Sequence, residues 1–198
     1  MLIRIKKYEE FKLLCPKGRK GIARGKAPGR KNNNNNQPQK GERKKEFYLA
    51  GTFTFLGIHF VFSTKNRLPM IDNTINDRLY TYIGGIIREL GGTLIEINAM
   101  PEHIHFYAYM PKTVSVSKFM EIVKANSSKW IHTTFPDKNN FGWQDGYGAF
   151  SVSKSSESAV IQYIKNQQNH PRERSFQEEF IDMLNKYGVE YNENYIWK

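Results

Sequence analysis

The chain has 198 residues, of which 39% are hydrophobic, enough for one buried core and too few for a multidomain machine. Its single cysteine, Cys15, excludes an internal disulfide, and no stretch approaches the roughly 18 uninterrupted apolar residues of a membrane-spanning helix. The net charge of +11 is confined to residues 1–48, where 15 Lys or Arg face 4 Asp or Glu, so the remainder is formally neutral.

No basic start followed by an apolar run and a small-residue cleavage site is visible, so the expectation is a soluble, cytoplasmic protein with no membrane partner. Residues 1–48 combine five consecutive asparagines, scattered Pro and Gly, and few large apolar side chains after Leu14, the composition of a disordered tail. Such a basic arm would bind nucleic acid without sequence preference by releasing condensed counterions. Two other readings stand beside it: a solvating extension, and a segment that is not translated, with Leu49 at an alternative start. Residues 49–170 then form the folded domain and residues 171–198 a C-terminal helical extension.

Residues 52–63 are rich in aromatic and β-branched side chains and alternate as a strand does. Asp72, Asn73 and Thr74 offer helix-capping oxygens, and Ile75, Leu79, Ile83, Ile86, Ile87 and Leu90 recur at helical spacing until Gly91 and Gly92 end the pattern. Gly84 and Gly85 inside that helix each cost about 1 kcal/mol relative to Ala, so close packing or a partner's backbone must demand them. A second strand is expected at 93–100, a tight turn at Pro101 and Glu102, and a third strand at 103–110. Ser115 or Ser117 caps a second helix with Phe119, Val123 and Trp130 as its apolar stripe and Lys118, Lys124 and Lys129 on its polar side. Residues 147–153 form a fourth strand, and Ser155, Ser156 and Ser158 introduce a third helix that runs to about residue 169. Ser175 with Glu178 makes a capping box for a last short helix through Phe176, Phe180, Leu184 and Tyr187, closed by Gly188. The order β-α-β-β-α-β is an α+β, ferredoxin-like (split βαβ) arrangement, an antiparallel sheet with helices on one face and the other face open.

Alternation along the third strand separates Ile104, Phe106, Ala108 and Met110 from His103, His105, Tyr107 and Tyr109. The apolar set belongs against the helices, so the two imidazoles stand together on the open face, their Cβ atoms about 7 Å apart and able to converge on one ion. Alone, a His-x-His pair is a weak signal, because two ordinary surface histidines give the same pattern. On the third helix, Tyr163 and Gln167 project from one face a turn apart, at the edge of a buried arc of Val160, Ile161 and Ile164. A cation held by two imidazoles and one amide oxygen keeps positions for phosphate oxygens and water, and can polarise a phosphodiester. A phenol with a pKa of about 10 needs an electrophile activated in that way, and its attack leaves a phosphotyrosine.

Four segments carry a family resemblance: HFVFSTK at 59–65, MPEHIH at 100–105, GYGAFSVS at 146–153 and YIKNQ at 163–167. In this order, over about residues 53–170, the chain resembles the HUH-type single-tyrosine transposases of small bacterial insertion sequences and their repeat-associated relatives. The resemblance implies an HUH endonuclease-type fold and a DNA strand transferase that cleaves and rejoins single-stranded DNA at hairpin-marked ends through a 5′-phosphotyrosine. It implies Tyr163 as nucleophile, His103, His105 and Gln167 as ligands of Mg²⁺ or Mn²⁺, and no small-molecule cofactor. A homodimer whose tyrosine helix is often exchanged between subunits follows from the same likeness; the stretch from Gly146 to Gly148 is a candidate hinge for such exchange on the strength of its glycines alone. The basic tail has no counterpart in the family pattern, and the extension from residue 172 is shared with only some relatives.

Because the globular part is neutral, DNA contacts are expected from local groups: Lys118, Lys124, Lys129, Arg172 and Arg174. His170 is a lesser candidate ligand, and His59, on the same sheet, reads as a structural hydrogen-bonding histidine. Two alternatives stay open: an RNA-recognition module stacking bases on exposed Tyr107 and Tyr109, and a domesticated protein that binds hairpins without cutting them.

Overall fold

The computed structural model describes residues 53–168 and 175–197. The basic tail, His170, Arg172 and Arg174 lie outside the described residues, as does the boundary expected at 170–171.

Alternation about an extended backbone decides the architecture. β1 (Gly57–Ser63) pairs antiparallel with β3 (His103–Tyr109) on one side and with β4 (Gly148–Ser151) on the other, while β2 (Thr93–Met100) pairs antiparallel with β3. The spatial order is β2-β3-β1-β4, so β1 and β2 run parallel around an intervening β3, as a split βαβ unit requires. The one register shift, between Leu94 and Glu96, falls on the edge strand β2.

α1 (Asn76–Glu89) and α2 (Val116–Thr134) cover one face. Leu79, Ile83, Ile87, Phe119 and Val123 from these helices meet Phe60, Phe62, Ile104 and Phe106 from the strands in one buried cluster. Phe60 stacks on Phe106 and Phe119 with ring centroids 4.7 and 5.4 Å apart. In α1 a Cβ at position 84 would lie 3.3 Å from Leu94 Cδ2, so close helix–sheet approach accounts for Gly84. Ser115 caps α2 by accepting the Lys118 amide.

One local expectation is corrected on this side. Asp72 does not cap α1 with its side chain: Oδ1 accepts the Thr74 amide at 2.9 Å and closes a turn, while the Asp72 carbonyl accepts the amides of Ile75 and Asn76. Trp130, half-buried, packs against the edge of the core and stacks on Tyr82 at 4.7 Å, while Ser127 and Ile131 extend the buried stripe of Phe119 and Val123. Ser127 donates to the Val123 carbonyl at 2.6 Å and accepts Trp143 Nε1 at 2.9 Å, which satisfies both polar groups in apolar surroundings.

The second face, expected open, is covered. α3 (Glu157–Lys165) packs on β2 and β3, and α4 (Phe176–Lys186) closes over Val61 and Phe150. The physical reason is that both helices carry an apolar stripe and only this face is left to bury it. Tyr107 is fully buried beneath α3, and Tyr109 donates to the Glu157 carboxylate at 2.9 Å, which removes the exposed aromatic pair on which the RNA-recognition reading depends. Both halves of the α4 capping box form, Ser175 Oγ accepting the Glu178 amide and Glu178 Oε2 accepting the Ser175 amide at 2.7 Å. Gly148 is demanded by this packing, because a Cβ there would sit 2.7–2.8 Å from Phe180, Phe150 and Val61. No helix among the described residues is long and apolar enough to cross a membrane.

Candidate active site

β3 directs His103 and His105 to the second face, opposite Ser63 and Val61 of β1. Their exposures are 3% and 0%, so the solvent-facing imidazoles expected from alternation are instead deeply enclosed by α3 and α4. His59 is also buried, and its Nε2 lies 3.0 Å from His105 Nδ1. Burial, followed by the neighbouring His103 and His59, holds His105 well below the ordinary imidazole value. Burial and then the Lys186 charge push His59 down to about 4, so both rings are neutral at neutral pH. Between two neutral imidazoles one nitrogen donates and the other accepts. When His105 Nδ1 donates to His59, the lone pair of His105 Nε2 faces the site, the tautomer that a metal ligand requires.

The Nε2 atoms of His103 and His105 are buried and make no hydrogen bond. Glu179, reaching in from α4, places Oε1 3.4 Å from His105 Nε2 and Oε2 3.6 Å from His103 Nε2. These separations are long for hydrogen bonds. They are close to the roughly 3.0–3.4 Å between two ligands that each stand about 2.1 Å from one ion. One ligand atom from each of the three side chains lies within 4.8 Å of the others. Two imidazole nitrogens and a carboxylate oxygen form a donor set suited to a divalent cation.

α3 ends at Lys165, short of the expected residue 169, and the helix and the turn after it bring Tyr163 and Gln167 to the same point. Its C-terminal end is tied to β2 by Asn98, whose amide donates to the carbonyls of Ile164 and Lys165 at 2.9 and 3.2 Å. Gln168 adds a hydrogen bond to the Ala99 carbonyl at 3.1 Å. The tyrosine helix therefore lies over the imidazoles of its own chain. The Tyr163 hydroxyl donates to Glu179 Oε1, and Gln167 Nε2 donates to the same oxygen at 3.0 Å. The Tyr163 ring meets His59 and His105 edge-on, with centroids 5.9 and 5.8 Å away. Burial, then the Glu179 charge and hydrogen bond, raise the Tyr163 pKa far above that of a free phenol and keep the hydroxyl protonated.

The structure thus gathers His103, His105, Tyr163 and Gln167 around a residue that sequence reasoning missed. Glu179 follows the capping Glu178 and resembles an ordinary first-turn acid. The available signal was its spacing: it shares a helix face with Phe176, Phe180 and Met183, and a carboxylate inside an apolar stripe needs a partner.

The expected DNA-contacting lysines lie elsewhere. All three are on α2, against the opposite face of the sheet. Lys118 is exposed and pairs with Glu121 at 2.6 Å, and Lys129 is exposed. Lys124 is half-buried, and its Nζ donates to the carbonyls of Gln144 and Gly146 at 2.5 and 2.7 Å, pinning the loop before β4.

The sequence and fold have known counterparts. A family model described as "Transposase IS200 like" matches residues 52–167, more than half of the chain. The transposase for insertion sequence element IS200 of Salmonella typhimurium (strain LT2) is 31% identical over 94 residues, covering 43% of this chain and 61% of that protein. The chain therefore spans less than two thirds of that relative's length. The ISDra2 transposase TnpA of Deinococcus radiodurans is 21% identical over 117 residues, covering 57% of this chain and 84% of the relative. Among solved structures, a REP-associated tyrosine transposase bound to a REP hairpin aligns with a TM-score of 0.45 and 17% identity, over 56% of this chain and 65% of that one. The family match takes in His103, His105, Tyr163 and Gln167, and α4 with Glu179 lies beyond it. The chain belongs to the IS200-like family of HUH-type single-tyrosine transposases.

Proposed function

We propose that the chain is a metal-dependent single-strand DNA endonuclease and strand transferase with Tyr163 as its nucleophile. The observation that supports this most is the meeting of the Tyr163 hydroxyl with two unpartnered imidazole nitrogens around one carboxylate. A divalent cation, Mg²⁺ or Mn²⁺, held by His103, His105 and Glu179 with Gln167 beside it, would polarise a phosphodiester and offset the charge that develops on it. Tyr163 Oη forms a bond to phosphorus as the bond from phosphorus to the 3′ oxygen breaks. The phenolic proton passes to the Glu179 carboxylate that already accepts its hydrogen bond, and the 3′ oxygen leaves as a hydroxyl after taking a proton from water. The 5′-phosphotyrosine keeps the energy of the cut bond, so a different 3′ hydroxyl can reverse the step and join strands without nucleotide hydrolysis. His59 orients His105, and Asn98 holds the tyrosine helix in place.

Single-stranded DNA with a hairpin is the substrate in this proposal. Lys118, Lys129, Arg172 and Arg174 serve as phosphate contacts, Lys124 shapes its loop, and residues 1–48 act as a nonspecific arm. Assembly as a homodimer belongs to the same proposal. In a reciprocal exchange of α3 the two Asn98 hydrogen bonds to its last turn would re-form between subunits, and light scattering on the purified protein reads the oligomeric state.

Incubation with hairpin-bearing single-stranded DNA and Mn²⁺ or Mg²⁺, resolved on a denaturing gel, is expected to give a covalent protein–DNA adduct. Tyr163→Phe removes it, and His103→Ala or Gln167→Ala reduces it greatly. An adduct that survives Tyr163→Phe refutes the assignment. Hairpin binding with no adduct from the unmodified chain identifies the non-catalytic alternative.

A further inference from the structure

We propose that a cavity beside the imidazole–carboxylate cluster binds one unpaired nucleobase of the DNA strand, next to the phosphate that Tyr163 attacks; this rests on the reading of the chain as a single-strand DNA enzyme. The cavity is a half-open cleft of about 470 Å³, within the roughly 300–1,000 Å³ of pockets that hold small molecules. Phe176, Phe180, Tyr191, Tyr195 and Trp197 supply aromatic walls. Phe176 is shared with the cluster, because its ring also stacks on His103 with centroids 4.5 Å apart. Phe176 thus stands between the cluster and the cavity, so that a phosphate at the one and a base in the other would flank the same ring.

An unusual turn places a cation at this pocket. Asn66 and Arg67 both have φ of 56°, the left-handed region that non-glycine residues seldom adopt. The turn is held by the Asn66 amide on Gln144 Oε1 at 2.8 Å and the Lys65 amide on the Gly142 carbonyl at 2.7 Å. Its effect is to lay the Arg67 guanidinium over the Trp197 ring, 5.4 Å from the centroid, with Nη1 donating to the Trp197 carbonyl at 3.3 Å. Aromatic rings and a guanidinium plane are the groups on which single-stranded bases stack, and Asn192 and Gln144, whose side-chain oxygens accept the Asn194 and Asn66 amides, keep their amide N–H groups as donors to a base edge. An apolar peptide would use the rings and gain nothing from the cation, whereas a base carrying its phosphate uses both. One wall of the pocket comes from the stretch matched by the family and the other from residues 176–197, beyond it.

The probes are two fluorescein-labelled 12-mers of equal charge, oligothymidylate and an abasic oligomer of the same length, titrated into the full-length protein and followed by anisotropy. Phosphate contacts, including those of the basic tail, are common to both probes, so a difference in affinity reports the bases. Oligothymidylate is expected to bind about tenfold more tightly, within the range given by one stacked base. Arg67→Ala, and Tyr195→Ala at a side chain 66% exposed, are each expected to erase most of that advantage. Equal affinities for the two probes, or an advantage that both variants keep, overturn the base pocket. Should that happen while hairpin DNA still yields the Tyr163 adduct, the strand-transferase reading stands and only the pocket falls; a base preference without any adduct has the opposite meaning.

Discussion

The two faces of the sheet are made by alternate residues of the same strands, and they solve opposite problems. Against α1 and α2 the strands present Phe60, Phe62, Ile104 and Phe106, and the buried polar Ser127 on that side is satisfied by Trp143 and Val123. Against α3 and α4 the same strands present His59, His103, His105 and Tyr107, joined by Gln167 and Glu179 from the helices. Burying a polar atom without a partner is costly, yet His103 Nε2 and His105 Nε2 make no hydrogen bond. The first face holds the fold together; the second keeps unmatched lone pairs where a cation can take them up. Burial alone therefore does not identify a structural core, and the state of the buried polar atoms does.

The sharpest way to break this contrast is Tyr163→Phe. Adduct formation on hairpin DNA should fall by more than about 10⁴-fold, as when a nucleophile is deleted. Urea denaturation should shift by no more than about 1.5–3 kcal/mol, since only the hydroxyl bond to the Glu179 carboxylate is removed. Phe106→Ala on the opposite face should do the reverse, costing about 3–5 kcal/mol in the same denaturation while the folded fraction keeps its Mn²⁺ affinity. His105→Ala should lower Mn²⁺ affinity by about 100-fold or more, read from free Mn²⁺ by electron paramagnetic resonance, and should cost less stability than Phe106→Ala. If His105→Ala proves the more destabilising of the two, the division of labour between the faces is wrong.

Period and capping made most elements legible. Alternation along residues 103–110 separated the imidazoles from Ile104 and Phe106, and the capping box at Ser175 opened α4. The roles proposed for Tyr163, Gln167 and the His pair rest on the family resemblance, because a lone His-x-His and an edge tyrosine have ordinary explanations. The covering of the second face was not legible, since periodicity tells that α3 and α4 bury a stripe and not against what. Glu179 was hidden for the same reason: it is 76 positions from His103, and no local pattern encodes that approach. Lys124 shows the limit of a helical wheel, which put it on the solvated side although its flexible stem turns back onto the Gln144 and Gly146 carbonyls.

The finest test concerns His59, which lies on the cation-facing side and has no ligand role of its own. His59→Phe keeps the ring and its packing against Tyr163 and Phe150 but removes the nitrogen next to His105 Nδ1. His105 then loses the partner that fixes its tautomer, and Mn²⁺ affinity should fall about tenfold. His59→Gln offers an amide oxygen to the same Nδ1–H and should recover part of that loss. Stability responds in the other direction. With its pKa pushed from 6.5 to about 4 in the folded chain, His59 takes up a proton more readily when unfolded, so its share of stability is complete above about pH 6.5 and is lost as the pH falls toward 4. The metal-free His59→Phe protein should therefore lose less stability between pH 6.5 and 4 than the unmodified chain. An unchanged Mn²⁺ affinity in the Phe variant would reduce His59 to a packing residue and move it, in function, to the other face of the sheet.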